Sequence, residues 1–123
     1  VYWLYHKDRM RTADFYQNVM GLKRLVVQSF ADIYTSSRTG YIGLVTSGKG
    51  SSIFATDQKA IDVGFITSDA QTWFEFLKTQ PSFKLETEKL SDEIVIGTDP
   101  ENYSIEIIEL YYASNPTKIS VEK

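Results

Sequence analysis

Two stretches of this 123-residue chain follow the same order of elements, and an internal repeat restricts the possible folds more than any single motif does. The first opens with Val1 to His6, a β-branched and aromatic run that reads as a strand. Asp8 then stands as an N-cap, Arg9 to Met20 carries Met10, Ala13, Tyr16 and Met20 at helical spacing, and Gly21 falls where a helix takes its C′ glycine. Three strand-like runs follow, Leu25 to Phe30, Ile33 to Ser36 and Tyr41 to Val45, separated by polar turns. After the glycine- and serine-rich connection Ser47 to Ser52 the pattern begins again. Ile61 to Thr67 predicts a strand, Ser68 and Asp69 supply caps, and Ala70 to Thr79 predicts a helix with Trp73, Phe74 and Leu77 on one side. Phe83 to Leu90, Glu93 to Ile96 and Tyr103 to Leu110 then predict three strands.

The repeat holds residue by residue. An offset of 61 superposes Leu4 on Phe65, Asp8 on Asp69 and Phe15 on Phe76, and an offset of 63 places Ile42, Gly43 and Leu44 on Ile105, Glu106 and Ile107. The expectation is one α+β domain over residues 1–123, made of two βαβββ halves, 1–46 and 61–110, with a linker at 47–60 and a C-terminal tail at 111–123.

Composition removes several classes of function. A net charge of −3 with scattered Lys and Arg gives no footprint for a phosphate backbone, so nucleic acid is not expected as a partner. With no cysteine there is no disulfide framework, thiolate zinc site or cysteine nucleophile. No apolar run approaches the roughly 20 residues that span a bilayer, and the expectation is a cytoplasmic protein without a membrane partner. Aromatic residues make up 14% of the chain, enough to line a core, a pocket or a subunit interface.

Two segments carry a resemblance. Asp8 to Leu22, with Phe15-Tyr16 in the helix and Met20-Gly21-Leu22 closing it, is similar to a D-x6-FY-x3-LG signature, and Asp99-Pro100-Glu101-Asn102-Tyr103-Ser104-Ile105-Glu106 is similar to a DPDGxxIE signature. Together they resemble the vicinal oxygen chelate superfamily, that of glyoxalases, bleomycin-resistance proteins and related dioxygenases, over about residues 1–110. The resemblance implies a curved mixed sheet whose two modules enclose a concave cup for a ligand. It also implies a homodimer, as in many members. In metal-dependent members, four side chains from the first and last strand of each half hold the metal, and those positions fall here on Val1, Gly43, Asp62 and Glu106.

Only Glu106 matches the usual ligand set; Val1 and Gly43 have no donor side chain, and Asp62 stands where His is typical. Catalytic divalent metals generally take three or more protein ligands, so no cofactor is expected, and a divalent metal on Glu106 and Asp62 would need further ligands from upstream of Val1 or from a partner subunit. Strand parity places Trp3 and Tyr5, Tyr41 and Val45, Gly64 and Ile66, and Ser104 and Ile108 on the faces of the four marked positions. It turns Tyr2, Leu4 and the single histidine, His6, toward the helices, so His6 is expected to be structural rather than catalytic.

The expected ligand site is therefore aromatic and acidic, built from Trp3, Tyr5, Tyr41, Asp62, Ile66, Glu106 and Ile108. Aromatic faces with carboxylates suit a flat or cationic small molecule, bound without a catalytic metal in the manner of the bleomycin-resistance branch. The alternative is a glyoxalase-type lyase or isomerase, similar to lactoylglutathione lyase, that is metal-dependent or uses Glu106 or Asp62 as its base. A protein-interaction module, with Tyr111 and Tyr112 of the tail as its local support, is the third possibility.

Overall fold

The computed structural model describes residues 1–48, 53–90 and 93–109. The middle of the linker, the expected end of the last strand at Leu110 and the tail with Tyr111 and Tyr112 lie outside the described residues. The chain forms two compact units, Val1–Gln58 with Pro100–Asn102, and Lys59–Asp99 with Tyr103–Lys123.

In the first unit, β1 (Tyr2–His6), β2 (Lys23–Val27), β3 (Ala31–Thr35) and β4 (Tyr41–Thr46) form a mixed sheet in the order β1-β4-β3-β2, with β1 parallel to β4. Asp8 caps α1 (Arg9–Asp14) by accepting from the Arg11 amide at 3.2 Å. The expected single helix to Met20 changes pitch at Phe15: Phe15–Val19 is π-helical, and the Met20 amide reaches back five residues to the Phe15 carbonyl at 3.0 Å. The wider turn buries both neighbours Phe15 and Tyr16, whose rings meet edge to face with centroids 5.1 Å apart. Gly21, at φ +74°, ends the helix as the spacing predicts. Against this helical face pack Leu4, Tyr34, Ile42 and Leu44, all buried.

The second unit repeats the arrangement. β5 (Asp62–Thr67), β6 (Lys84–Leu85), β7 (Ile94–Thr98) and β8 (Ser104–Glu109) form a sheet in the order β5-β8-β7-β6, with β5 parallel to β8. Asp69 caps α2 (Ala70–Leu77) through the Thr72 amide at 3.0 Å. Ala70, Phe74, Leu77, Phe83, Val95, Ile105 and Ile107 make its core.

The pairing register reproduces the two sequence offsets. Tyr2 lies opposite Ile42 and Leu4 opposite Leu44, while Val63 lies opposite Ile105 and Phe65 opposite Ile107. One superposed pair differs in environment: Phe15 is fully buried, but Phe76 is 38% exposed, because α2 stays α-helical and its core side falls on Phe74 and Leu77.

The expected strand Leu25 to Phe30 lies earlier, at Lys23–Val27, and two strands of the second unit are displaced for local reasons. Phe83 to Leu90 contracts to Lys84–Leu85, because the Glu86 and Thr87 amides both donate to the Ile96 carbonyl and the Thr87 hydroxyl accepts from the Ile96 amide, which replaces the regular ladder. Glu93 is not in the following strand; it has φ +59°, a left-handed conformation, and β7 starts at Ile94.

Candidate functional site

In the second unit, the parallel pair β5–β8 sets Asp62 opposite Ser104, Gly64 opposite Glu106 and Ile66 opposite Ile108. Alternation puts these six on the face away from α2, since Ile105 and Ile107 face the core. The antiparallel partner β7 adds Ile96 beside Glu106 and Ile94 beside Ile108 on that face. The face thus runs from Asp62, Ser104 and Thr98 through Glu106 to isoleucines, of which Ile66 is 67% exposed.

The carboxyl groups of Asp62 and Glu106 are near enough to interact across the strand pair. Hydrogen bonding of a protonated Glu106 to Asp62 first, then partial burial, then the negative charge of Asp62, raises the Glu106 pKa above the usual glutamate range. Gly64 offers no side chain next to Glu106, and a Cβ there would meet only Ile108 Cδ1 at 3.8 Å, which leaves room beside the acid. Glu106 therefore gives up its proton less readily than a separate glutamate would.

In the first unit, the equivalent face carries Trp3, Tyr5, Tyr41 and Gly43, with Trp3 opposite Gly43 in register. Trp3 is 43% exposed and Tyr41 38% exposed, and the benzo edge of the indole lies over Gly43 so closely that a Cβ there would overlap it. His6, on the opposite face with Leu4, is fully buried, and its Nδ1 lies 3.1 Å from the Leu4 carbonyl oxygen. Trp3, Tyr5 and Tyr41 thus share one face of the first sheet, and Asp62, Ile66, Glu106 and Ile108 share one face of the second.

The four positions that a divalent metal would use do not offer a fitting donor set. Val1 and Gly43 have no donor, the Trp3 ring occupies the space over Gly43, and only the carboxyls of Asp62 and Glu106 remain. Among the described residues no three His, Cys, Asp or Glu side chains come together as a metal cluster. Two carboxyls fall short of the three or more protein ligands that catalytic metals take.

Two polar groupings of the first unit escape a motif-based reading of the sequence. Asp32 is 1% exposed on the helix side of β3, where Arg9 Nη1 meets it at 3.1 Å, Arg24 Nη1 lies at 3.9 Å and the Tyr34 hydroxyl donates at 3.2 Å. Burial first, then the Asp32 charge, pushes Tyr34 up to about 12. The signal was available, because Asp32 has the parity of Tyr34, and an acid at a core position demands a cation. Glu101 is also buried, and its carboxylate accepts from the Lys7 amide at 2.7 Å and the Asp8 amide at 2.6 Å, at the entry to α1. Arg11 Nη2 donates to the Pro100 carbonyl at 3.0 Å beside it. The Asp99 to Glu106 signature is thus partly architectural: Asn102 takes the left-handed turn at φ +72° and Asp99 Oδ1 accepts from the Tyr103 amide at 3.0 Å.

No family model and no curated protein matches the chain. Solved structures do. A lactoylglutathione lyase from Agrobacterium tumefaciens matches with a TM-score of 0.66 at 17% identity, over 87% of this chain and 89% of that one. The fosfomycin resistance protein FosX from Listeria monocytogenes matches with a TM-score of 0.68 at 14% identity, over 91% of this chain and 92% of that one. This is the vicinal oxygen chelate fold. A possible glyoxalase from Bacillus cereus, at TM-score 0.66 and 18% identity over 86% of this chain and 93% of that one, has the same fold. At these identities the likeness is one of architecture, and the vicinal oxygen chelate fold hosts its chemistry in side chains that differ from member to member. No described helix is long and apolar enough to cross a membrane.

Proposed function

We propose that this protein binds a flat, cationic small molecule and holds it without a catalytic metal, in the manner of the bleomycin-resistance type. The observation that carries the reading is the acid pair Asp62 and Glu106 on a sheet face that continues into Ile66, Ile94, Ile96 and Ile108. Two neighbouring carboxyls present negative charge to a cation, and the isoleucines beside Glu106 give its apolar body a surface. Ile66 and Ile108 contact the apolar body of the ligand; Trp3, Tyr5 and Tyr41 offer, on the sheet of the first unit, aromatic faces of the kind that stack on flat cations, each contact worth about 0.5–2 kcal/mol. The same reading takes the protein as a cytoplasmic homodimer, which sedimentation equilibrium tests.

Thermal-shift measurements with flat cations and with aldehyde–glutathione adducts test the ligand class. Stabilisation by the cations supports it, and stabilisation by the adducts alone sinks it.

The raised pKa of Glu106 favours a second reading, a lyase or isomerase in which Glu106 is the general base beside a carbonyl, with Asp62 setting its basicity. Turnover of the methylglyoxal–glutathione hemithioacetal by metal-free protein, lost in Glu106→Gln, supports this second reading over the first. Elemental analysis addresses its metal-dependent form: stoichiometric nickel, zinc, manganese or iron in the purified protein overturns the metal-free reading.

A further inference from the structure

The halves of this chain treat one equivalent pair of positions in opposite ways. In the second half the pair is Gly64 on β5 and Glu106 on β8; in the first half it is Trp3 on β1 and Gly43 on β4. Where the second half places an acid, the first half places no side chain, and the neighbouring strand fills the space with an indole. Gly43 is buried beneath that ring, its backbone does not have the positive φ that would itself require glycine, and a Cβ at this position would overlap Cε3 and Cζ3 of Trp3. The glycine is therefore needed for space rather than for conformation. Trp3 nonetheless keeps 43% of its surface exposed, so the ring is seated on the strand without being enclosed.

We infer that Gly43 is a positioning residue for ligand binding: by offering no side chain it seats the Trp3 indole as a stacking platform, and it thereby selects planar aromatic cations over compact ones. The inference rests on the binding function proposed above only in taking the ligand to be a flat cation, and it concerns the exposed face of the first unit's sheet. A methyl group at position 43 lifts or tilts the indole, and stacking, which needs ring faces at van der Waals distance, weakens with the tilt. The effect passes through Trp3, so it disappears when the indole is absent.

The test uses the full chain with Trp73→Phe, which leaves Trp3 as the sole tryptophan, and two probes: N-methylquinolinium as a planar cation and tetramethylammonium as a compact one. The parent binds N-methylquinolinium more tightly than tetramethylammonium by calorimetry. Gly43→Ala shifts the Trp3 emission maximum and lowers affinity for N-methylquinolinium roughly three- to thirtyfold, with tetramethylammonium unaffected. In a Trp3→Leu background, Gly43→Ala changes neither affinity, which a general loss of structure would not spare. Should Gly43→Ala fail to fold, Trp3→Leu alone removes the preference for the planar probe. Undiminished planar binding in Gly43→Ala or Trp3→Leu overturns the inference and leaves the binding function standing. No binding of either cation by the parent overturns both.

Discussion

Glu106 and Asp62 lie two residues out of register on adjacent parallel strands, and the neighbouring Asp62 carboxyl raises the pKa of Glu106. The folded state therefore holds the Glu106 proton more tightly than the unfolded chain does. By linkage, stability falls as pH rises from the ordinary glutamate range to the raised Glu106 value, and stays at the lower level above it. Glu106→Gln supplies a permanent donor to Asp62 and removes that loss. Thermal melts across pH 4–9 should show the variant gaining roughly 1–3 °C over the parent at pH 8 and little at pH 4, the scale of a few tenths of a kcal/mol in a small domain.

Ligand binding should be coupled to the same proton. A cation docked on the pair favours the doubly ionised form, so binding releases a proton where Glu106 is still protonated, and affinity rises with pH through the raised Glu106 range. Calorimetry with N-methylquinolinium in two buffers of different ionisation enthalpy measures the release. A binding enthalpy independent of buffer at every pH contradicts the coupling.

The Arg9, Arg24, Asp32 and Tyr34 grouping is held by one buried carboxylate. Asp32→Ala leaves the largely buried Arg9 guanidinium without its counter-charge and should cost about 3–5 kcal/mol by urea denaturation. Spectrophotometric titration, with Tyr34→Phe identifying the signal, should place Tyr34 near 12; Asp32→Asn lowers it but leaves it above 10, because burial is the larger cause. Raised in the folded state, Tyr34 makes stability fall between about pH 10 and 12.

Glu101 satisfies two amides at the entry to α1 with one carboxylate. Glu101→Ala strands both donors and should cost roughly 2–4 kcal/mol, while Glu101→Gln, which keeps one acceptor oxygen, costs about half as much. Hydrogen exchange at Lys7 and Asp8 reports the loss locally, and unchanged protection in the alanine variant sinks the assignment.

Much of the architecture was legible in the sequence because the halves repeat their caps and their alternation. Asp8 and Asp69, Leu4 and Phe65, and Ile42 and Ile105 carry the same duties at fixed offsets, and the register follows from which residues must be buried. What was not legible depends on hydrogen bonds that compete with the regular ladder. The Thr87 hydroxyl that shortens β6 and the π-helical turn at Phe15 leave no periodic trace. The faces of Trp3 and Glu106 follow from parity, but the approach of the Glu106 and Asp62 carboxyls and the fit of the Trp3 ring over Gly43 depend on side-chain rotamers, which alternation does not specify.

By the proposed function, the acid pair holds a cation without a metal. Calorimetric titration of N-methylquinolinium into chelator-treated parent and into the Asp62→Asn, Glu106→Gln double variant, which keeps the shape of the pair and removes its charge, tests it most directly. Binding to the metal-free parent is expected, with at least a tenfold loss in the double variant. Equal affinity in the two proteins, or binding by the parent only after a divalent metal is restored, would contradict it.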